Sequence, residues 1–186
     1  MKKLTFLFLF TFILLSACTT ANDSDADPRS LGNPNASVLI EEFSDPECPA
    51  CGQISPEVEK LIRENPDLAR LDYYHFPLSY HQYAFIASEA SECAGDQGKF
   101  FEYLGILFKN QSSLSEDYLY SVADSLGLNR TAFDACLNNH DYKAKILAQM
   151  AEGKRRGLPG TPTFYVNGEM VKWSGTESFK AYLESL

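Results

Sequence analysis

The chain has 186 residues, 45% of them hydrophobic, with 13 Phe and 10 Tyr, which suits one domain with a real core plus a short export segment. Its formal net charge of -9 argues against nucleic acid as a partner, because phosphate binding needs clustered Lys and Arg. An acidic balance otherwise marks solubility.

Lys2 and Lys3 precede a nearly unbroken apolar run over residues 4–15 that contains Phe6, Phe8, Phe10 and Phe12. This pattern reads as an export signal, too short to cross a bilayer comfortably as a helix. It ends in Leu15-Ser16-Ala17-Cys18, which resembles the lipobox of bacterial lipoproteins. On that reading residues 1–17 are a cleaved signal peptide and Cys18 is an acylated N-terminus, anchored to a membrane by more than one chain. An ordinary signal peptide cut after Ala21 would discard Cys18 instead. Residues 18–36 would be the lipidated cysteine and a flexible tether, since 19–35 is rich in Ala, Asn, Asp, Ser, Gly and Pro and has no hydrophobic period.

The folded domain is expected over 37–186. Residues 38–43 are an apolar-rich run with little alternation, which suits a buried central strand. From Pro49, the positions Ile54, Val58, Leu61 and Ile62 fall at helical spacing, with a kink expected at Pro56 and Pro66 beyond the helix end. Residues 71–76 read as a second strand, completing a β-α-β unit. Helical character then fills 83–94, 99–108, 117–125, 131–137 and 142–154, an insert of about 79–156 without strand signals. Strand pattern returns at 163–166, turns at Asn167-Gly168 and continues over 169–173. A last helix over 177–186 carries Phe179, Tyr182 and Leu183 on one face, with Thr176 as its expected N-cap. The order is strand, helix, strand, a block of helices, hairpin, helix, and it is similar to the thioredoxin arrangement: an α/β fold on a mixed sheet with a helical insertion.

Cys48-Pro49-Ala50-Cys51 sits where the first strand gives way to the first helix. The unpaired amides and dipole of a helix start favour an anion, so Cys48 is expected to be a thiolate-prone nucleophile and Cys51 the resolving thiol. The same spacing serves half of many zinc sites, but no second Cys-x-x-Cys and no histidine at metal-like spacing accompanies it. No metal or other cofactor is therefore expected. With Cys18 lipidated, the remaining cysteines number an even four, as suits an oxidising compartment.

The segment Val38-Leu39-Ile40-Glu41-Glu42-Phe43-Ser44-Asp45-Pro46-Glu47-Cys48-Pro49-Ala50-Cys51, together with Gly160-Thr161-Pro162-Thr163-Phe164-Tyr165-Val166-Asn167-Gly168 and Gln97-Gly98-Lys99-Phe100-Phe101-Glu102, resembles the DsbA-like thiol:disulfide oxidoreductases from about Gly32 to the C-terminus. The resemblance implies a cis Pro162 facing the Cys48 sulfur, with Thr161 offering backbone groups to an extended substrate. It also implies a buried acid beneath the active-site pair. Strand alternation allows either Glu42 or Glu41 there, with Glu42 favoured to exchange the proton of Cys51. Some members carry a second, non-catalytic disulfide in the insert, which points to Cys93 and Cys136; a bridge there would stabilise by up to about 4 kcal/mol, and two separate buried thiols are the alternative. Further implied are reduced exported proteins as substrates and a DsbB-like membrane partner as reoxidant, in the periplasm or cell envelope.

His75, His81 and His140 carry no pattern beyond surface or core histidines, and Trp173 reads as core packing. Lys154-Arg155-Arg156 suits a solvated helix end. The sequence departs from the strongly oxidising members in having Pro49-Ala50 without a histidine and acidic Asp45 and Glu47 beside the nucleophile, so a milder oxidant is expected. A reductase using the same pair remains open, as does a non-catalytic binding module on the same scaffold. A separate dimerisation domain, as an isomerase would carry, has no room.

Overall fold

The computed structural model describes Asp27 and residues 29–186; the signal segment and Cys18 lie outside the described residues. Five strands form one sheet in the order β1-β3-β2-β4-β5. They are β1 Ser30–Gly32, β2 Leu39–Ser44, β3 Arg70–His75, β4 Thr163–Val166 and β5 Glu169–Val171. β2 and β3 run parallel, joined through helix α1 Pro49–Glu64, as the β-α-β reading requires. The other pairings are antiparallel. β2 is central and buried on both faces, which explains why its sequence shows no alternation.

Between β3 and β4 come α2 Ala84–Gly95, α3 Phe100–Lys109, α4 Glu116–Ser125, α5 Arg130–Asn138 and α6 Lys143–Arg156, and α7 Thr176–Glu184 closes the chain. The fold class is the expected one, a mixed α/β sheet with an inserted block of helices. On one sheet face Ile40, Leu71, Phe164 and Val166 pack against Val58 and Ile62 of α1 and Phe179 and Leu183 of α7. On the other, Phe43 and Tyr165 meet Phe76, with Met150 of α6 against them. The helices α2 to α5 enclose a separate core around Tyr103, Leu107, Leu119 and Phe133, within which Cys93 and Cys136 are bridged by a disulfide.

Three local expectations are corrected. Residues 30–32, placed in the flexible tether, form β1, because Ser30 to Gly32 find backbone partners on the open edge of β3 and Arg29 is held by Glu92. Folded structure therefore starts well before Ser37. Thr176 is the first helical residue of α7 and Gly175, at φ 87°, is the N-cap; the hydroxyl of Ser178 meets the Ser174 amide there. The last strand stops at Val171, and Trp173 beyond it stacks on Phe179 with ring centroids 4.0 Å apart. A short 3-10 turn at Gln111–Ser113 went unforeseen.

Candidate active site

Cys48 ends the loop after β2 and is the N-cap residue of α1, with Pro49 at the first helical position, where a missing N-H costs nothing. Cys48 is 7% exposed and Cys51, one turn in, is fully buried; they are unbridged. The Cys48 thiol is held down to about 5, first by a hydrogen bond from the Cys51 thiol, then by the Thr161 side chain and the backbone amides of Cys51 and Ala50. Those amides are the orphan donors of the helix start. Burial pushes the Cys51 thiol the other way, far above its ordinary range, and the adjacent Cys48 adds to the rise. One sulfur is thus an anion at neutral pH and its neighbour keeps a proton.

The Thr161-Pro162 peptide is cis and leads into β4. It brings the Thr161 carbonyl within 3.4 Å of the Cys48 sulfur. The Thr161 hydroxyl is buried with no hydrogen-bond partner, a donor left available close to the sulfur it helps to hold as an anion. Beside Pro162 opens an apolar cleft of about 430 Å³, lined by Ile54, Val58, Pro159, Phe164 and Trp173.

Strand alternation separates the two glutamates. Glu42 points toward α1, is 1% exposed and accepts a hydrogen bond from the Ser55 hydroxyl. Burial pushes its carboxyl up to about 7, against the hydrogen bonds of Ser55 and Ser44. Glu41 points toward α6 and forms a two-bond pair with Arg156 at 2.8 and 2.9 Å. Arg156 also lies over the rings of Phe43 and Tyr165. It is therefore a packed ion pair and not part of a solvated helix end.

The acidic residues expected to oppose the thiolate are already occupied. Asp45, fully buried, accepts from the amides of Glu47 and Leu78 and meets His81 Nδ1 at 2.8 Å. Glu47 accepts from the Tyr83 amide. They staple the redox loop to the start of the insert, so the negative charge that the sequence placed beside Cys48 is spent on local donors. Gln111 adds a second staple that sequence reasoning missed: its amide donates to the carbonyls of Pro46 and Cys48 at 3.0 and 2.7 Å. Gly52 makes the approach possible, since a Cβ there would lie 2.7 Å from Gln111 Oε1. Nothing in a Lys-Asn-Gln-Ser-Ser run marks this role. Of the remaining histidines, His75 is buried with Nε2 3.2 Å from Glu92, and His140 meets Glu89 at 2.9 Å. No group of three or more metal-binding side chains gathers among the described residues.

The Thioredoxin family model matches residues 24–185. A thioredoxin-like oxidoreductase from Silicibacter pomeroyi DSS-3 is 27% identical, with a TM-score of 0.70 over 84% of this chain and 89% of that one. The thiol-disulfide exchange protein alpha-DsbA2 from Wolbachia pipientis superposes with a TM-score of 0.76 at 17% identity, covering 87% of this chain and 88% of the other. BdbD from Bacillus subtilis does so at 0.70 and 22%, over 84% and 91%. Among curated proteins, a Na(+)/H(+) antiporter NhaA 1 of Salinispora arenicola is 36% identical over 147 residues, 78% of this chain and 22% of that protein. One from Mycobacterium sp. (strain KMS) is 33% identical over 155 residues, 81% of this chain and 25% of its own length. The chain thus spans about a quarter of the length of these curated relatives, and no helix among the described residues is long and apolar enough to cross a membrane. A family match over nearly the whole chain, a five-stranded mixed sheet with a helical insert, and a dithiol at the start of α1 together place the chain in the thioredoxin family.

Proposed function

We propose that this protein is an extracytoplasmic oxidase that introduces disulfides into exported proteins through Cys48 and Cys51. A substrate thiolate attacks the Cys48 sulfur of the oxidised pair, and Cys51 leaves and takes up a proton. A second substrate thiolate then displaces Cys48, which departs as an anion, so two electrons pass from the substrate dithiol to the Cys48-Cys51 pair. The observation that carries the reading is the depressed Cys48 thiol at the helix start, because a stable thiolate is a good leaving group in the second step.

The cis Thr161-Pro162 segment and the apolar cleft beside it supply backbone groups and a side-chain pocket for an extended client strand. Glu42, buried and raised to about 7, suits exchange of the Cys51 proton. Cys18 is the proposed site of lipidation, with residues 1–17 removed as a signal peptide. A membrane protein of the DsbB type is the proposed reoxidant, and the cell envelope the proposed location.

The test is oxidative refolding of a reduced, disulfide-containing client by the purified oxidised domain, with Cys48→Ser as control. Client oxidation that depends on Cys48 is expected; equal oxidation by the variant overturns the reading. Alkylation of the protein in its own cells separates the directions. An oxidised resting pair supports the oxidase, and a reduced one transfers the same chemistry to an envelope reductase. Equilibration with glutathione tests the milder-oxidant expectation, which a potential as high as that of DsbA itself would overturn.

A further inference from the structure

The buried acid and the resolving cysteine are joined by two serine hydroxyls that no family resemblance singled out. Ser44, the last residue of β2, is fully buried, and Ser55, on α1, is 4% exposed. Their oxygens lie 3.1 Å apart. Ser55 donates to Glu42, and the Ser44 hydroxyl is near enough to both groups to favour the charged form of the Cys51 sulfur and of Glu42.

We infer that Ser44, supported by Ser55, is the path along which the proton of Cys51 travels to and from Glu42. The inference rests on the thiol-exchange reading above and adds positioning residues to it. With Glu42 ionised, the Cys51 thiol donates to Ser44, Ser44 to Ser55, and Ser55 to the carboxylate, so all donors point one way. When Cys51 attacks a mixed disulfide at Cys48, each hydroxyl passes its proton one step, the Cys48-Cys51 bond forms, the partner sulfur leaves as a thiolate, and Glu42 ends protonated. When a client thiolate opens the disulfide, the same shifts run backward: Cys51 leaves with the bonding pair and receives the proton from Glu42. The proton is conserved inside the domain over a cycle, and the electrons go to a disulfide-bearing acceptor.

The surroundings favour this route. Glu42 and Cys51 are both cut off from solvent, so hydroxyls that accept and donate at once are the available carriers. The titratable groups facing Glu42 are Glu59 from α1 and Tyr73 from β3, and those facing Cys51 are Cys48, at the N-cap of α1, and the same Tyr73. From β4 the register partner of Glu42 is the uncharged Phe164. Tyr73, fully desolvated, holds its own proton far above the range in question.

The experiment mixes the reduced protein with 5,5′-dithiobis(2-nitrobenzoate), so that Cys48 attacks the disulfide, keeps one thionitrobenzoate and expels the other, and follows release of the second by Cys51 from about pH 5 to about pH 9 in a stopped-flow instrument. The wild type should show an inflection near 7, the value of Glu42. Ser44→Ala and Glu42→Gln should each lose that inflection and slow release at neutral pH by about 10²-fold, the lower end for a general base. The double variant should be no slower than either single one, and Ser44→Thr, which keeps the hydroxyl, should recover most of the rate. A Ser44→Ala protein that keeps the inflection, or losses that multiply in the double variant, overturns the relay. Ser55→Ala provides the same cycle with Glu42→Gln should Ser44→Ala fail to fold. A wild type that never releases the chromophore sinks the thiol-exchange reading itself, an outcome distinct from the others.

Discussion

Replacing Glu42 by Gln should stabilise the oxidised protein at alkaline pH and leave it nearly unchanged in acid. Glu42 is raised from 4.5 to about 7, chiefly by burial. The unfolded chain ionises this group near its ordinary value, whereas the folded chain holds the proton until about 7. Below the lower value both states are protonated and the group costs nothing. As pH rises through the interval the unfolded state alone gains from ionisation, so stability falls, and above the upper value the deficit is constant. At about 1.4 kcal/mol per pKa unit, it amounts to about 3 kcal/mol. Gln cannot ionise, retains an oxygen for Ser55, and removes this penalty. The assay is urea unfolding of both proteins over a series of pH values, with the Cys48-Cys51 pair kept oxidised so that neither sulfur titrates. Glu59, also raised by burial, is common to both and cancels in the difference. The stability gap should open by about 3 kcal/mol between acid and alkaline solution; a gap that stays constant would refute the placement of a protonated acid under the redox pair.

Replacing both Cys93 and Cys136 by Ala should lower stability by about 4 kcal/mol, the chain-entropy value for a loop of this length, measured by urea unfolding. Exchange by Cys48 should continue, because the bridged pair belongs to the core of the insert and the redox pair to a different cluster; a loss below about 1 kcal/mol would dismiss the entropic account. Thr161→Val should weaken the Cys48 thiolate roughly tenfold, since a hydrogen bond to a charged group contributes about 1.5 kcal/mol or more. Thiolate absorbance against pH reads this directly, with the wild-type inflection expected near 5, and an unmoved inflection in the variant would remove the Thr161 hydroxyl from the site.

The order of elements was legible because the chain changes its period at each boundary. The unbroken apolar run of β2, the helical spacing after Pro49 and the Asn167-Gly168 turn each act through local geometry. β1 was missed because a three-residue edge strand needs only backbone partners, and its sequence, Ser30-Leu31-Gly32, has no period to read. Within the site, Cys48 and Cys51 announce themselves by spacing. The split between Glu41 and Glu42 followed from alternation, but Arg156 as the partner of Glu41 did not, since it lies 115 residues away. The roles of Gln111, His81, Ser44 and Ser55 were likewise hidden. Ordinary polar residues acquire function only through the neighbour that folding supplies.

Gln111 belongs to the insert yet grips two carbonyls of the redox loop, while Asp45 and Glu47 reach back to hold its opening residues. The helical block is thus bolted to the nucleophile at both ends of a single joint. Any shift of the 111–113 turn must therefore either carry the loop that ends in Cys48 with it or break two hydrogen bonds at once, so the spacing between insert and nucleophile is fixed from within the fold.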